Sequence, residues 1–117
     1  MDPFVENYII AALWSSTDDK DEPLDKNYRP EDISCCTLQQ MKWDCEDFQH
    51  QCAKQLEIYE QETGSDGGFD FWLTRNGHGA GFWDRGLGEI GDILTAVAHS
   101  FGSFDLYVGD DGHIYGS

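Results

Sequence analysis

The sequence predicts an α+β domain in which helices pack on one face of a small antiparallel sheet. Apolar residues recur at steps of three and four from Leu38 to Tyr59, which is the period of an amphipathic helix. After Gly64 the pattern changes to alternation of apolar and polar residues, which is typical of strands with one buried face. A length of 117 residues is that of one typical domain, so we expect residues 1–117 to share a single core.

The first predicted elements are an N-terminal helix and an acidic loop. Asp2 can cap the helix, and Pro3 suits its first turn. Apolar residues then follow at helical spacing to about Ser15, where serine, threonine and aspartate side chains compete for the backbone and end the helix. The stretch from Thr17 to Pro30 holds five acidic residues and two prolines, and it predicts an ordered or semi-ordered acidic loop.

The central prediction is one long amphipathic helix, which we expect to form the spine of the core. Ser34 or Thr37 can cap its start, and Gly64 can end it. Trp43 and Ile58 lie outside its apolar stripe. We expect these two to pack under the N-terminal helix, with exposure as partner contacts as the alternative. The stripe consists of seven apolar residues: Leu38, Met41, Cys45, Phe48, Cys52, Leu56 and Tyr59.

The rest of the chain predicts two hairpins separated by a helix. Alternating aromatic residues and glycine-rich turns indicate the strands. Apolar residues at helical spacing before Gly102 indicate the helix, which that glycine can close. In chain order, the predicted segments are strands over 69–73 and 80–83, a helix over 87–101, and strands over 106–108 and 113–115.

The charge of the chain restricts its partners. Acidic residues outnumber basic residues by 23 to 7, which gives a formal net charge of −16. Repulsion among charges of one sign destabilises a compact domain, so we expect a positively charged partner surface to account for the excess of acidic residues. Direct binding of nucleic acid or of an anionic membrane is excluded because both carry charge of the same sign. The chain shows neither a secretory leader pattern nor a run of roughly 18 apolar residues, which predicts a cytosolic protein.

The cysteines and histidines show no spacing typical of metal ligands. No two cysteines form a C-x-x-C pair, so we expect all four to be reduced and free of metal. Cys45 and Cys52 lie seven residues apart on one helix face, where cysteine acts as a small buried hydrophobe. The sequence therefore predicts no cofactor. The four cysteines are Cys35, Cys36, Cys45 and Cys52.

The segment over residues 69–85 holds one arrangement that could carry chemistry. His78 lies among glycines, and Asp84 could orient it as a general base, with Arg75 close in sequence. The alternative function is therefore a small enzyme or ligand-binding domain centred on Arg75, His78 and Asp84. No nucleophile elbow or phosphate-binding loop accompanies them, so we favour a structural hairpin. In that interpretation two arginines pair with two aspartates and two tryptophans fill the core: Arg75, Arg85, Asp70, Asp84, Trp72 and Trp83.

Two runs in the C-terminal half resemble small acidic accessory proteins of tailed phages and related mobile elements. The runs are DFWLTRNGHGAGFWDR at 70–85 and LYVGDDG at 106–112, and the stretch over residues 8–19 is similar as well. The resemblance carries no catalytic assignment. It implies a phage accessory context, in which small acidic proteins often block host enzymes by presenting carboxylates where phosphates would lie.

The resulting prediction is a non-enzymatic inhibitor of a host nucleic-acid-binding defence protein, of the anti-restriction or anti-CRISPR type, in the host cytoplasm. Its carboxylates would occupy a basic groove, and electrostatic steering would make association fast and dependent on salt. Trp43 or Tyr28 would supply an aromatic anchor, and the oligomeric state stays open. The predicted partner-binding residues are Asp18, Asp19, Asp21, Glu22, Asp25, Trp43, Asp44, Asp47, Glu57 and Glu62.

Overall fold

The fold is mostly helical, with one small antiparallel sheet at its C-terminal end. The structure is a computed structural model and describes residues 2–117. Two short 3₁₀ turns, at Pro30–Asp32 and Phe82–Asp84, join some of the helices. The helices are α1 (Pro3–Ser15), α2 (Leu24–Asn27), α3 (Cys35–Gln51), α4 (Ala53–Thr63), α5 (Gly68–Arg75) and α6 (Glu89–Ser100), and the strands are β1 (Leu106–Val108) and β2 (Ile114–Gly116).

The predicted N-terminal helix is confirmed as α1. Asp2 caps it by accepting a hydrogen bond from the Phe4 N–H at 3.2 Å, and Pro3 occupies the first turn. The helix is buried on most of its circumference and packs most extensively against α5. Gly68 permits this close packing, because a Cβ at that position would collide with the carbonyl oxygen of Phe4.

The apolar stripe of the predicted long helix is confirmed, but the helix is divided in two at Cys52. The backbone of Cys52 (φ −115°, ψ 26°) leaves the helical region between α3 and α4. Hydrogen bonds continue on both sides, since the Cys52 N–H donates to the Phe48 carbonyl at 3.0 Å and the Leu56 N–H donates to the Cys52 carbonyl at 2.8 Å. Ser34 caps α3, and Gly64 ends α4 with φ +78°. Six residues of the stripe are buried, and Leu38 packs against them.

The predicted strand over 69–73 is wrong, because this segment is the helix α5. The alternation of apolar and polar residues suggested one solvent-facing side, yet the polar residues Asp70, Thr74 and Arg75 are also buried. Each of them has an internal hydrogen-bond partner, so a helix can bury them at little cost. The second arm over 80–83 is likewise no strand and contains the 3₁₀ turn Phe82–Asp84.

The C-terminal elements agree with the sequence. The helix α6 ends at Ser100 with Phe101 as its C-cap, and Gly102 follows with φ +73°. β1 pairs with β2 in antiparallel register, with Tyr107 opposite Tyr115. The sheet therefore consists of this hairpin alone within residues 2–117.

The stretch predicted as an acidic loop is not a loop throughout, because residues 24–27 form α2 and Pro30 begins a 3₁₀ turn. Asp18 Oδ1 accepts hydrogen bonds from the N–H groups of Lys20 at 2.8 Å and Glu22 at 3.1 Å, which closes a tight turn. Thr17 bridges to Pro23, and α2 follows directly. The loop therefore presents its carboxylates from a defined backbone.

Aromatic rings fill the centre of the core. Phe71 of α5 stacks on Phe48 of α3 with 4.1 Å between ring centroids, and Phe4 lies 6.2 Å from both. Trp43 and Ile58 do not join this core. Both are exposed, Trp43 to 58%, so the expected packing under the N-terminal helix is wrong.

None of the helices in residues 2–117 is both long and apolar enough to cross a membrane.

Candidate functional site

The helix α5 carries an ion pair at each end, and Arg75 forms the more deeply buried one. Its Nη1 donates to Asp44 Oδ2 at 2.8 Å and to Tyr8 Oη at 2.9 Å. Its Nε donates to the Gly102 carbonyl at 2.9 Å, and its Nη2 donates to the Phe101 carbonyl at 3.1 Å. The guanidinium thus joins α5 to α1, α3 and the end of α6.

Three aromatic rings complete the surroundings of Arg75. Its guanidinium carbon lies 5.5–5.6 Å from the ring centroids of Phe71, Phe101 and Phe104, which is within cation–π distance. Burial raises the pKa of the Tyr8 hydroxyl well above its usual value, so this hydroxyl stays protonated. Four of its five N–H groups donate hydrogen bonds within the fold, so the main role of Arg75 that the structure shows is to hold these elements together.

The second ion pair joins Asp70 at the start of α5 to Arg85. Arg85 donates two hydrogen bonds to the carboxylate, from Nε at 2.9 Å and from Nη2 at 2.8 Å. The Tyr59 hydroxyl donates to the same carboxylate. Burial, with the hydrogen bond to Asp70, raises the pKa of Tyr59 to about 12, and the hydrogen bond to Asp70 raises the pKa of Arg85. The pairing of Arg85 with Asp70 is therefore of the bidentate type.

The structure shows no hydrogen bond or ion pair among the side chains of Arg75, His78 and Asp84, the residues of the alternative site. Arg75 is directed towards Asp44, whereas His78 and Asp84 are exposed and make no side-chain hydrogen bond to any residue of 2–117. Of the ion pairs expected between the two arginines and Asp70 and Asp84, only one between Arg85 and Asp70 forms. Arg75 pairs with Asp44 instead, and Asp84 forms no ion pair within residues 2–117. Of the two tryptophans expected in the core, Trp72 is buried and Trp83 is 51% exposed.

Three of the five predicted carboxylates of the acidic loop, Asp18, Asp19 and Glu22, line a depression together with two lysines. Glu22 forms an ion pair with Lys26 at 3.2 Å, and Lys20 lines the same depression. This depression also includes Tyr28, one of the two predicted aromatic anchors, which is half-buried. The loop charge is therefore partly neutralised within the loop. Its carboxylates are Asp18, Asp19, Asp21, Glu22 and Asp25.

The predicted residues of the long helix divide into exposed and engaged groups. Asp47, Glu57 and Glu62 are exposed, as is Trp43, the other predicted anchor. Asp44 is half-buried and bound to Arg75, so it presents no free carboxylate to a partner.

The fold also creates an acidic groove that the sequence reasoning missed. It has a volume of about 550 Å³ and lies between the start of α1 and α4. Of its four carboxylates, the prediction included only Glu57. The helical spacing of Glu57 and Glu60 was visible in the sequence, but the approach of Asp2 and Asp66 to α4 depends on the tertiary fold. The four carboxylates are Asp2, Glu57, Glu60 and Asp66.

The structure describes no cluster of three or more His, Cys, Asp or Glu side chains within residues 2–117 that could hold a metal ion. Cys45 and Cys52 are buried as expected, and Cys35 and Cys36 are exposed. Burial raises the pKa of the Cys45 thiol well above its usual value, which makes it a poor nucleophile.

No protein-family model matches the chain, and no curated protein or solved structure matches it.

Proposed function

We propose that the protein is a non-enzymatic inhibitor that binds the basic surface of a nucleic-acid-binding defence protein, in the manner of anti-restriction and anti-CRISPR proteins. The observation that supports this most is the density of charge along an elongated body. The molecule is 43 Å long and 24 Å across, and it carries a net charge of −16. That is about 2.7 Å of the long axis per net charge, against about 1.7 Å per phosphate in duplex DNA.

The distribution of the few cations adds to this argument. Arg75 and Arg85 are engaged with Asp44 and Asp70, so their charges are compensated inside or next to the core. Five basic residues then remain against 21 acidic ones elsewhere in the chain. A basic partner would meet a surface of one predominant sign, which favours fast, steered association.

Aromatic contacts would give this association its affinity. Trp43 projects from α3, the helix that also carries Asp47, and its exposed ring suits an interface hot spot. The resemblance of the runs at 70–85 and 106–112 to phage accessory proteins indicates a host defence protein as the class of partner and the host cytoplasm as the place of action. Nucleic acid and membranes are not the partners, because their charge has the same sign.

Displacement of DNA from a captured partner tests the proposal. The immobilised protein is incubated with a bacterial host lysate, and bound proteins are identified by mass spectrometry. We expect a nucleic-acid-binding protein whose labelled DNA duplex is released when the acidic protein is added. A captured protein that keeps its duplex at saturating inhibitor would contradict the proposal.

A variant of His78 separates this function from the alternative. His78→Ala removes the central residue of the alternative site and leaves the net charge at neutral pH unchanged. We expect this variant to displace the duplex as well as the wild type does. Loss of displacement by a folded His78→Ala protein would favour a ligand-binding or enzymatic function.

A further inference from the structure

The groove between α1 and α4 combines an acidic rim with an apolar floor. Its floor includes Phe4, Ala53 and Leu56. No lysine or arginine of residues 2–117 lines it, and its other polar residues are glutamines. This differs from the depression at the acidic loop, where Lys20 and Lys26 lie among the carboxylates.

Two carboxylates of the rim are held in place by donors from elsewhere in the fold. Asp2 accepts from the side-chain amide of Gln49 at 3.1 Å, in addition to capping α1. Asp66 accepts from the Gly68 N–H at 3.0 Å and from the side-chain amide of Asn7 at 3.0 Å. These positions are therefore set by the fold before any partner arrives, which lowers the entropic cost of binding.

The other two carboxylates of the rim are free to pair. Glu57 and Glu60 lie three residues apart on α4, so they face the same side of the helix. Both are exposed, and within residues 2–117 neither side chain makes a hydrogen bond or an ion pair. The groove therefore offers unpaired negative charge beside a surface that methylene groups can cover.

Arginine and lysine side chains match this combination. Their charged heads pair with carboxylates, and their aliphatic stems lie along apolar surface. A second copy of this chain would bring another net charge of −16 to the groove, which disfavours self-association there.

We infer that the groove lined by Asp2, Glu57, Glu60 and Asp66 is the docking site for an arginine- or lysine-bearing segment of a partner protein. The inference rests on the proposed function, in which the partner presents a basic surface. It names the place on this molecule where that surface is held. The acidic loop then contributes mainly to steering.

Binding of a labelled octa-arginine peptide to matched charge variants tests this site. Glu57→Gln/Glu60→Gln removes two charges from the groove, and Asp19→Asn/Asp25→Asn removes two exposed charges from the loop. At physiological salt we expect the groove variant to bind about 3- to 30-fold more weakly, from two exposed ion pairs, and the loop variant less than about 2-fold. Equal losses would show that the peptide senses net charge alone, and the inference would be overturned.

A neutral substitution tests the groove without changing charge. Ala53 is exposed at the groove, and Ala53→Gln adds bulk there with little effect on helix formation. We expect at least about a 3-fold loss of octa-arginine binding, with an unchanged far-ultraviolet circular dichroism spectrum. Unchanged peptide affinity in the folded variant would overturn the inference.

The same variants with the captured partner separate the two proposals. If the partner binds the groove variants as it binds the wild type, and only loop neutralisation weakens it, the groove inference fails and the proposed function stands. If the wild type captures no basic nucleic-acid-binding protein while octa-arginine still depends on the groove, the proposed function fails and the docking site stands.

Discussion

The two ion pairs at the ends of α5 bury opposite partners. In the pair with Asp44, the arginine is the buried member, because the Arg75 side chain is 3% exposed and that of Asp44 is 15% exposed. In the other pair the anion is buried, with Asp70 at 3% and Arg85 at 37%. The buried member sets the cost of disruption, since removing the outer partner leaves a charge without compensation.

The number of other partners also differs between the two pairs. Without Asp44, Arg75 would keep three oxygen acceptors and three aromatic ring contacts. Without Arg85, Asp70 would keep only the Tyr59 hydroxyl as a side-chain donor. The anion at the start of α5 is therefore the more dependent on its ion pair.

The largest expected effect is that of Arg85→Met. The change leaves the Asp70 carboxylate buried beside one hydroxyl, and we expect a loss of about 2–4 kcal/mol of unfolding free energy, below the upper limit for buried pairs because Arg85 is over a third exposed. Urea denaturation at neutral pH measures it. Arg85→Met/Asp70→Asn is the control, and it should recover part of the loss. No recovery would show that side-chain packing, rather than the stranded charge, causes the effect.

The second expected effect is a loss of stability in alkali that depends on Tyr59. In the folded state the pKa of Tyr59 is about 12, above the ordinary value of 10.0. The stabilisation that comes from this raised pKa is therefore fully present below pH 10 and is lost as the pH rises to about 12. The raised pKa corresponds to a contribution of about 2–3 kcal/mol to the free energy of unfolding. Denaturation between pH 8 and about 12 should show a shallower loss for Tyr59→Phe than for the wild type. Parallel pH profiles would remove Tyr59 from this role.

A smaller effect is expected from Asp44→Asn at the other end of α5. Because Arg75 keeps its remaining acceptors, we expect a loss of about 1–2 kcal/mol in the same urea experiment. The residual amide can still accept from Nη1. A loss equal to or larger than that of Arg85→Met would reverse the proposed ranking of the two pairs.

The smallest effect on stability is expected from the acidic loop, whose charges are paired loosely or not at all. Neutralising four of them to Asn and Gln should change the unfolding free energy by less than about 1 kcal/mol, because exposed pairs contribute little. Association with the partner should slow at low salt, and the difference should shrink at high salt. Identical association rates at low salt would leave the loop without a role in steering. The four residues are Asp18, Asp19, Asp21 and Glu22.

The comparison also explains which parts of the fold could be predicted. The cap at Asp2, the stripe from Met41 to Tyr59 and the final hairpin depend on local patterns, and each is confirmed. The partner of Arg75 could not be read from the sequence, because Asp44 lies 31 residues away while Asp70 lies close by in the chain. Spacing along the chain favoured Asp70 as the partner of Arg75, but in the folded protein Arg75 contacts Asp44.

The errors at α5 and on α3 share a physical cause. Sequence patterns assign polar residues to solvent, but the polar residues of α5 are buried with internal partners. Conversely, Trp43 lies outside the apolar stripe of α3 and was expected to pack under the N-terminal helix, yet it is exposed. The acidic groove was missed because its residues come from the start of α1, the end of α3, α4 and the turn before α5, which only the tertiary fold brings together. Buried polar residues and surface grooves depend on which helices pack together, and a short stretch of sequence does not show this.

The hydrogen bonds between the final strand and the start of α3 affect how the protein is made. The Ser34 N–H donates to the Ile114 carbonyl at 2.8 Å, and the Gly116 N–H donates to Thr37 Oγ1 at 3.1 Å across 79 residues of chain. During synthesis, α3 emerges from the ribosome long before these partners exist. The first turn of α3 can reach its final hydrogen-bonded state only after residues 114–116 have left the exit tunnel, so α3 lacks these two partners while the intervening chain is being made.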